Sequence, residues 1–153
     1  MTLAIRRGTA DDARAAADLY LRARKAALGA IPPLVHDDDD VRGHFASHIV
    51  EACELWVAED PPGVLAGILV LDGDHVDQLY VDPERTGRGI GSRLLDVAKR
   101  ERPDGLRLWT FQSNAGAQRF YVRHGFVEAE RTDGRGNEER APDILYVLGG
   151  AHG

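Results

Sequence analysis

The sequence predicts a single α/β domain in which about four helices pack on a mixed sheet of six to seven strands. Three observations lead there. Apolar residues change from helical to alternating spacing near Leu55, and the two periods then exchange along the chain. A glycine-rich segment, Gly87 to Gly91, separates an alternating stretch from a helical one. The 153 residues, 43% of them hydrophobic, suit one core, and no repeat, low-complexity tract or linker divides them.

The elements run in order from the N-terminus. Leu3 to Arg7 reads as a first strand. Thr9, with Asp12 three residues on, has the form of a helix N-cap with an acidic first turn, and Ala13, Ala16, Ala17, Tyr20, Ala23 and Ala27 recur at helical spacing. This helix is expected to end near Gly29. After Pro32 and Pro33, the run Asp37 to Asp40 suits the positive end of a second helix with Val41, Phe45, Ile49 and Ala52 on its apolar face. Leu55 to Glu59, Val64 to Leu71 and His75 to Val81 read as three strands joined by tight turns. Ile90, Leu94, Val97 and Ala98 give the stripe of a helix that Pro103 ends. Leu106 to Phe111 is a strand, Asn114 caps a further helix, and Gly125 suits its left-handed end. Phe126 to Glu130 and Ile144 to Leu148 complete the sheet. The order is β-α-α-β-β-β-α-β-α-β-β, a mixed layer and not a regular βαβ alternation.

Composition narrows the function. A formal charge of -6 with interspersed basic residues argues against a nucleic-acid partner and mildly favours a cationic one. No stretch approaches the roughly 18 to 20 apolar residues of a membrane span, and none of signal-peptide length opens the chain. The expectation is a soluble cytoplasmic protein, monomer or homodimer, without a membrane partner. Cys53 is alone, so it reads as a buried small residue and not as a nucleophile or half of a disulfide. His44 and His48 lie four apart without a third ligand, so no metal is expected. Asp37 to Asp40 are explained by the helix dipole, and Trp56 and Trp109 read as core residues.

The segment from Val81 to Leu95, VDPERTGRGIGSRLL, carries the most chemistry. A strand enters it and a helix leaves it. Glycines at 87, 89 and 91 let a ligand approach the main chain, and the free N–H groups of the helix's first turn form an anion site suited to a diphosphate. Neither the P-loop string nor GxGxxG is present, because the third glycine falls at 91. Nucleotide hydrolysis and nicotinamide chemistry are both disfavoured.

This segment resembles the acyl-CoA motif of the GCN5-related N-acetyltransferase (GNAT) family, with Gly89 and Gly91 at its glycines and Thr86 where a Gln or Arg leads. Asn114 to Phe126, NAGAQRFYVRHGF, resembles the family's second coenzyme A segment, and the element order agrees along nearly the whole chain. The resemblance implies a GNAT-like fold, acetyl-CoA as cosubstrate and a primary amine of a small molecule or peptide as acceptor. It assigns the cofactor to Thr86, Gly87, Arg88, Gly89, Ile90, Gly91 and Ser92. It gives the pantetheine and the thioester carbonyl to main-chain groups of Leu79, Tyr80 and Val81 on a strand splayed from its neighbour, and the cofactor arm to Asn114.

Acyl transfer needs a deprotonated nucleophile, donors for the oxyanion and a proton for the thiolate. By position in the second segment, Tyr121 is the candidate general acid. Asp77 is the candidate base on the strand where the family often carries a Glu, and His75 is a lesser one. Strict alternation puts Asp77 and Gln78 on opposite faces, and only Asp77 accepts a proton. Acceptor choice is expected from Leu28 to His36 and Arg131 to Asp143, where Glu138 and Glu139 offer carboxylates to a cation; the alternative for the latter loop is simple solvation. A non-catalytic acyl-CoA sensor or partner-binding module of the same fold is the rival reading.

Overall fold

The computed structural model describes residues 3–149. Its strands are β1 (Ala4–Arg7), β2 (Glu54–Glu59), β3 (Leu65–Asp72), β4 (His75–Val81), β5 (Gly105–Phe111), β6 (Val127–Thr132) and β7 (Asp143–Gly149). Its helices are α1 (Ala13–Ala26), α2 (Asp38–His44), α3 (Val50–Ala52), α4 (Ile90–Glu101) and α5 (Ala115–Arg123). The seven strands form one sheet in the order β1-β2-β3-β4-β5-β7-β6, antiparallel except between β4 and β5. The mixed seven-stranded architecture and the element order agree with the sequence reading.

The central strand explains the layering. β3 is apolar along nearly its whole length because both of its faces are covered. Ile68 and Val70 pack with Ala16, Leu19, Tyr20, Phe45 and Ile49 of the α1 and α2 layer. Leu69 and Leu71 pack with Ile90, Leu94, Leu95 and Ala98 of α4 on the other side. Gly67 faces α4, where a Cβ would stand 2.9 Å from Leu94 Cδ1 and 3.0 Å from Ile90 Cγ2. The missing side chain lets the first turn of α4 lie directly on the sheet.

Two local details differ from the sequence reading. The helix that begins at α2 widens into a π-helical stretch, Phe45–Ile49, before its last turn, α3. Each i→i+5 bond adds a residue to the turn and rotates the residues beyond it about the helix axis. Val41, Phe45 and Ile49 are therefore buried, whereas Ala52 is exposed. The second is a β-bulge in β4. Val70 pairs with Gln78 and Leu71 with Val76, which leaves Asp77 as the extra residue. Val76 and Leu79 pack on the α4 side, and Tyr80 packs on the α1 side. The bulge thus turns Asp77 to the same face as Gln78 and Tyr80, against the expectation from strict alternation.

The first strand is tied to the helix after it. Arg6 donates to both carboxylate oxygens of Asp12, at 2.8 and 2.9 Å, and to Glu59 at 2.6 Å, while Asp12 also accepts the Thr9 N–H at 2.8 Å. Arg6 chiefly, with Thr9 adding to it, holds the Asp12 carboxyl down at about 2, against an opposing effect of burial. A depressed folded-state value means stabilisation that is present above the ordinary value and lost as pH falls through the folded one. Asp12→Ala should therefore cost about 1 kcal/mol at neutral pH. In denaturant titrations its deficit relative to the parent should shrink as pH falls from 3.8 towards about 2.

Candidate active site

The site begins where the sheet comes apart. β4 and β5 pair only at His75 with Arg107, with Arg107 N–H donating to Asp74 C=O at 3.0 Å just beside it. Beyond that point β5 follows β7 along its full length and β4 follows β3. The β5-facing main-chain groups of β4 from Val76 to Val81 are left without a strand partner, and a cleft of about 540 Å³ opens between the two strands. Asp77, Leu79, Tyr80, Val81, Thr86, Asn114 and Tyr121 all line it.

Thr86 on the cleft wall leads into the turn that starts α4, although none of the residues from Gly87 to Ser92 lines the cleft itself. Gly87 and Gly89 both adopt φ of +79°, a left-handed backbone, with nothing near the place a Cβ would take. Gly89 is the N-cap and has no side chain to satisfy the N–H groups of that turn, unlike Asp37 and Asn114, whose side-chain oxygens cap α2 and α5. An uncapped helix start with open space beside it is a receptor for an anion, and the donor set fits a diphosphate. Gly91 plays a different part, because a Cβ there would meet Phe120 and Val81 at ordinary packing distance.

The remaining residues of the turn divide between site and scaffold. Arg85 is drawn away to Asp82, 2.9 Å from its carboxylate, and Asp82 itself caps the short 3-10 turn Pro83–Arg85. Thr86 lines the cleft in its place. The Ser92 hydroxyl is 3.0 Å from His124 Nε2 across the α4 and α5 contact, so its side chain is engaged there. Burial first, then Lys99 and Arg123, lower the His124 pKa and favour the neutral ring. Arg88 is exposed.

Tyr121 projects from α5 into the cleft, wedged among Phe120, Phe126 and Tyr146. Burial raises its phenol pKa, with Tyr80 adding to the effect, so the hydroxyl keeps its proton across the neutral range. Asp77 stands on the cleft floor, where solvent reaches it although protein crowds round it. That crowding is the first cause of its raised carboxyl pKa; Asp72 is the second, and a hydrogen bond from Gln78 opposes both. His75, by contrast, lies at the closed end where β4 and β5 still pair.

A second pocket, of about 530 Å³, meets the cleft from the α1 and α2 side. The two share Asp77, Gln78, Tyr80, Trp109 and Phe111. Its outer walls are Leu34, Val35 and His36 from the α1 to α2 connection and Glu138 and Glu139 from the β6 to β7 loop, so both expected acceptor segments converge here. His36 Nε2 sits 3.2 Å from Glu138 Oε1, and that carboxylate raises the His36 pKa. The β6 to β7 loop is ordered from within. Asn137 donates to Ala141 C=O and to Asp143, accepts the Ala141 N–H, and Thr132 bonds to Asp143. A simply solvated loop does not describe it.

Two residues on these walls escaped the sequence reading. Trp109 is 42% exposed and lines both the cleft and the second pocket, whereas only Trp56 packs against the core. Arg24, on α1, is 6% exposed. Its position beside Ala23 in a run of alanines gave no sign that a charge was being buried. Cys53 is half-buried, and burial chiefly pushes its thiol up to about 11, which leaves it protonated. The His44 and His48 rings stack at 4.9 Å, and no group of three or more metal-ligating side chains occurs among the described residues.

Comparison with known proteins bears on this arrangement. The family model described as the acetyltransferase (GNAT) domain matches residues 51–128. The peptidyl-lysine N-acetyltransferase YjaB of Salmonella typhimurium is 33% identical over 89 residues, 58% of this chain and 61% of that protein. The chain thus matches 61% of the length of that protein and 53% of the length of its Escherichia coli counterpart. The solution structure of apo YjaB from Escherichia coli superposes with a TM-score of 0.78 at 25% identity, covering 99% of this chain and 100% of that one. A Thermoplasma acidophilum N-acetyltransferase in complex with coenzyme A shares the fold, with a TM-score of 0.71 at 18% identity over 97% and 99% of the two chains.

The left-handed turn before α4 gives a direct test of its conformation. In Gly89→Ala the new methyl meets no neighbour, so the whole cost is backbone strain. Denaturant unfolding should show a loss of about 1 to 2 kcal/mol. A loss near zero would mean that the turn does not hold φ at +79° in solution.

Proposed function

The chain belongs to the GNAT acetyltransferase family, and from that premise we propose that it moves an acetyl group from acetyl-CoA to a primary amine. The observation that carries the reading is the continuity of the site. The cleft runs along the unpaired edge of β4 and reaches Thr86, three residues before the uncapped start of α4 at Gly89. At Asp77, Gln78 and Tyr80 it is continuous with a second pocket. The N–H groups at the start of α4, with Thr86 beside them, hold the diphosphate. The coenzyme A complex of the Thermoplasma relative in fold supports that choice of donor. Free main-chain groups of Leu79, Tyr80 and Val81 orient the pantetheine, and an N–H among them polarises the thioester carbonyl. Asn114, whose Oδ1 is spent on the Ala117 N–H, offers its amide to the cofactor arm.

The reaction is a direct transfer. The amine gives up a proton, through water, to Asp77, whose raised pKa brings it nearer to that task. Its nitrogen attacks the thioester carbon, the C–S bond breaks as the tetrahedral species collapses, and Tyr121 donates its proton to the departing thiolate. The phenolate takes up, through water, the second proton shed by the new amide nitrogen, and Asp77 releases the first to solvent, so amide and free thiol leave with the enzyme unchanged. A site of this kind in the cytoplasm suits the single unpaired Cys53.

The test is thiol release from acetyl-CoA in the presence of a panel of amines. Binding of coenzyme A without release under any amine would identify a non-catalytic module instead. Tyr121→Phe should lower kcat by about a hundredfold and leave coenzyme A affinity nearly unchanged by calorimetry. Asp77→Asn should lower kcat most in the range where the carboxyl is ionised but the amine is still protonated, and the two profiles should converge in acid, where the parent's own carboxyl is protonated. An unchanged profile would remove Asp77 from the mechanism.

A further inference from the structure

Arg24 is a buried charge without a matching one. Its guanidinium lies 5.9 Å from the Tyr20 ring and 6.0 Å from that of Phe111, on the wall of the second pocket. Burying such a group is costly unless its donors and its charge are matched. Here the match is incomplete. Nη2 donates to Pro32 C=O at 3.1 Å, and the Tyr80 phenol offers a further contact, but Nε has no hydrogen-bond partner. Among the described residues no carboxylate lies within ion-pair distance of it, and Glu139 acts on it only from farther away. Asp82, also buried, shows the contrast, since it has both Arg85 and Arg22 beside it.

We infer that Arg24 receives the carboxylate of the acceptor, so that the preferred substrate is a small molecule carrying an amine and a free carboxylate, of the amino-acid type. A guanidinium presents parallel donors in a fork that a carboxylate matches with two bonds, which a carbonyl cannot do. The same pocket supplies the other end of a zwitterion. Asp77 and Gln78 stand where it meets the cleft, on the face that Tyr80 shares with them because of the bulge in β4. Tyr80 touches Arg24 on one side and adjoins that pair on the other, so the amine reaches the β4 edge while the carboxylate stays at α1. The inference rests on the acetyl-transfer reading for the chemistry but not for the binding.

Equilibrium binding separates the two. Calorimetry of the coenzyme A complex with the common L-amino acids, with their carboxamides, and with Nα-acetyl-lysine methylamide as a mimic of a peptide side chain needs no turnover. At least one amino acid should bind about tenfold or more tightly than its own carboxamide, the worth of a charged hydrogen-bond pair. In Arg24→Met that ratio should fall to about one, and in Arg24→Lys, which keeps the charge without the fork, part of it should survive. Equal binding of acids and amides, no binding by any of them, tightest binding by the lysine mimic, or a ratio untouched in Arg24→Met would each overturn the inference. If Arg24→Met does not fold, as read by circular dichroism, the ratio in the parent protein decides alone. Preferential binding of an amino acid without thiol release would instead count against acetyl transfer and leave the role of Arg24 standing.

Discussion

The parting of β4 from β5 after a single paired position governs everything that the site can do. A parallel pair of strands normally satisfies its main chain continuously. Here the pairing stops at His75, while β4 stays with β3 and β5 with β7 on their other edges. The sheet is therefore split from one end while remaining a single sheet at the other. A split of this kind yields unpaired N–H and C=O groups on a rigid edge, which a loop cannot supply with the same precision of aim. It also leaves the open edge of β4 lined by residues from both faces of the sheet, Ala23 and Ala27 of the α1 side and Ala117 and Tyr121 of α5 among them.

The two faces are held apart by the same few residues. Gly67 lets α4 press on β3, which fixes the start of that helix beside the open edge. The bulge at Asp77 then hands one extra side chain to the opposite face. The α4 side is thus defined by an absence of side chain and the α1 side by a surplus of one residue. On the α1 side, His36 with Glu138 and the Asn137 network bring two distant loops together into one wall.

Much of this was legible from residue order alone, and the reasons for the rest are physical. The strand His75–Val81, the helix beginning at Ile90 and the Asn114 cap could be read because period, glycine and capping chemistry are local signals. The face of Asp77 could not, because a bulge is decided by the register of the partner strand. Ala52 was misplaced for a related reason, since a π-helical turn shifts phase without any marker in composition. Trp109 looked like core because burial of an alternating strand depends on whether a neighbour covers it, and here the neighbour is missing. Arg24 is the hardest case: nothing beside it in the sequence distinguishes a buried cation from a solvated one on a helix.

β3, apolar on both faces, has a consequence for how the chain reaches its native state. The stretch Leu65–Leu71, almost free of charge, is the kind of segment that self-associates when left uncovered during synthesis. Its two partners in the sheet are the strands on either side of it in the chain, each reached through a short turn. Short-range closure is fast compared with the docking of distant elements. Both edges of the adhesive strand are accordingly paired by its neighbours in sequence, without waiting for the elements that follow Val81.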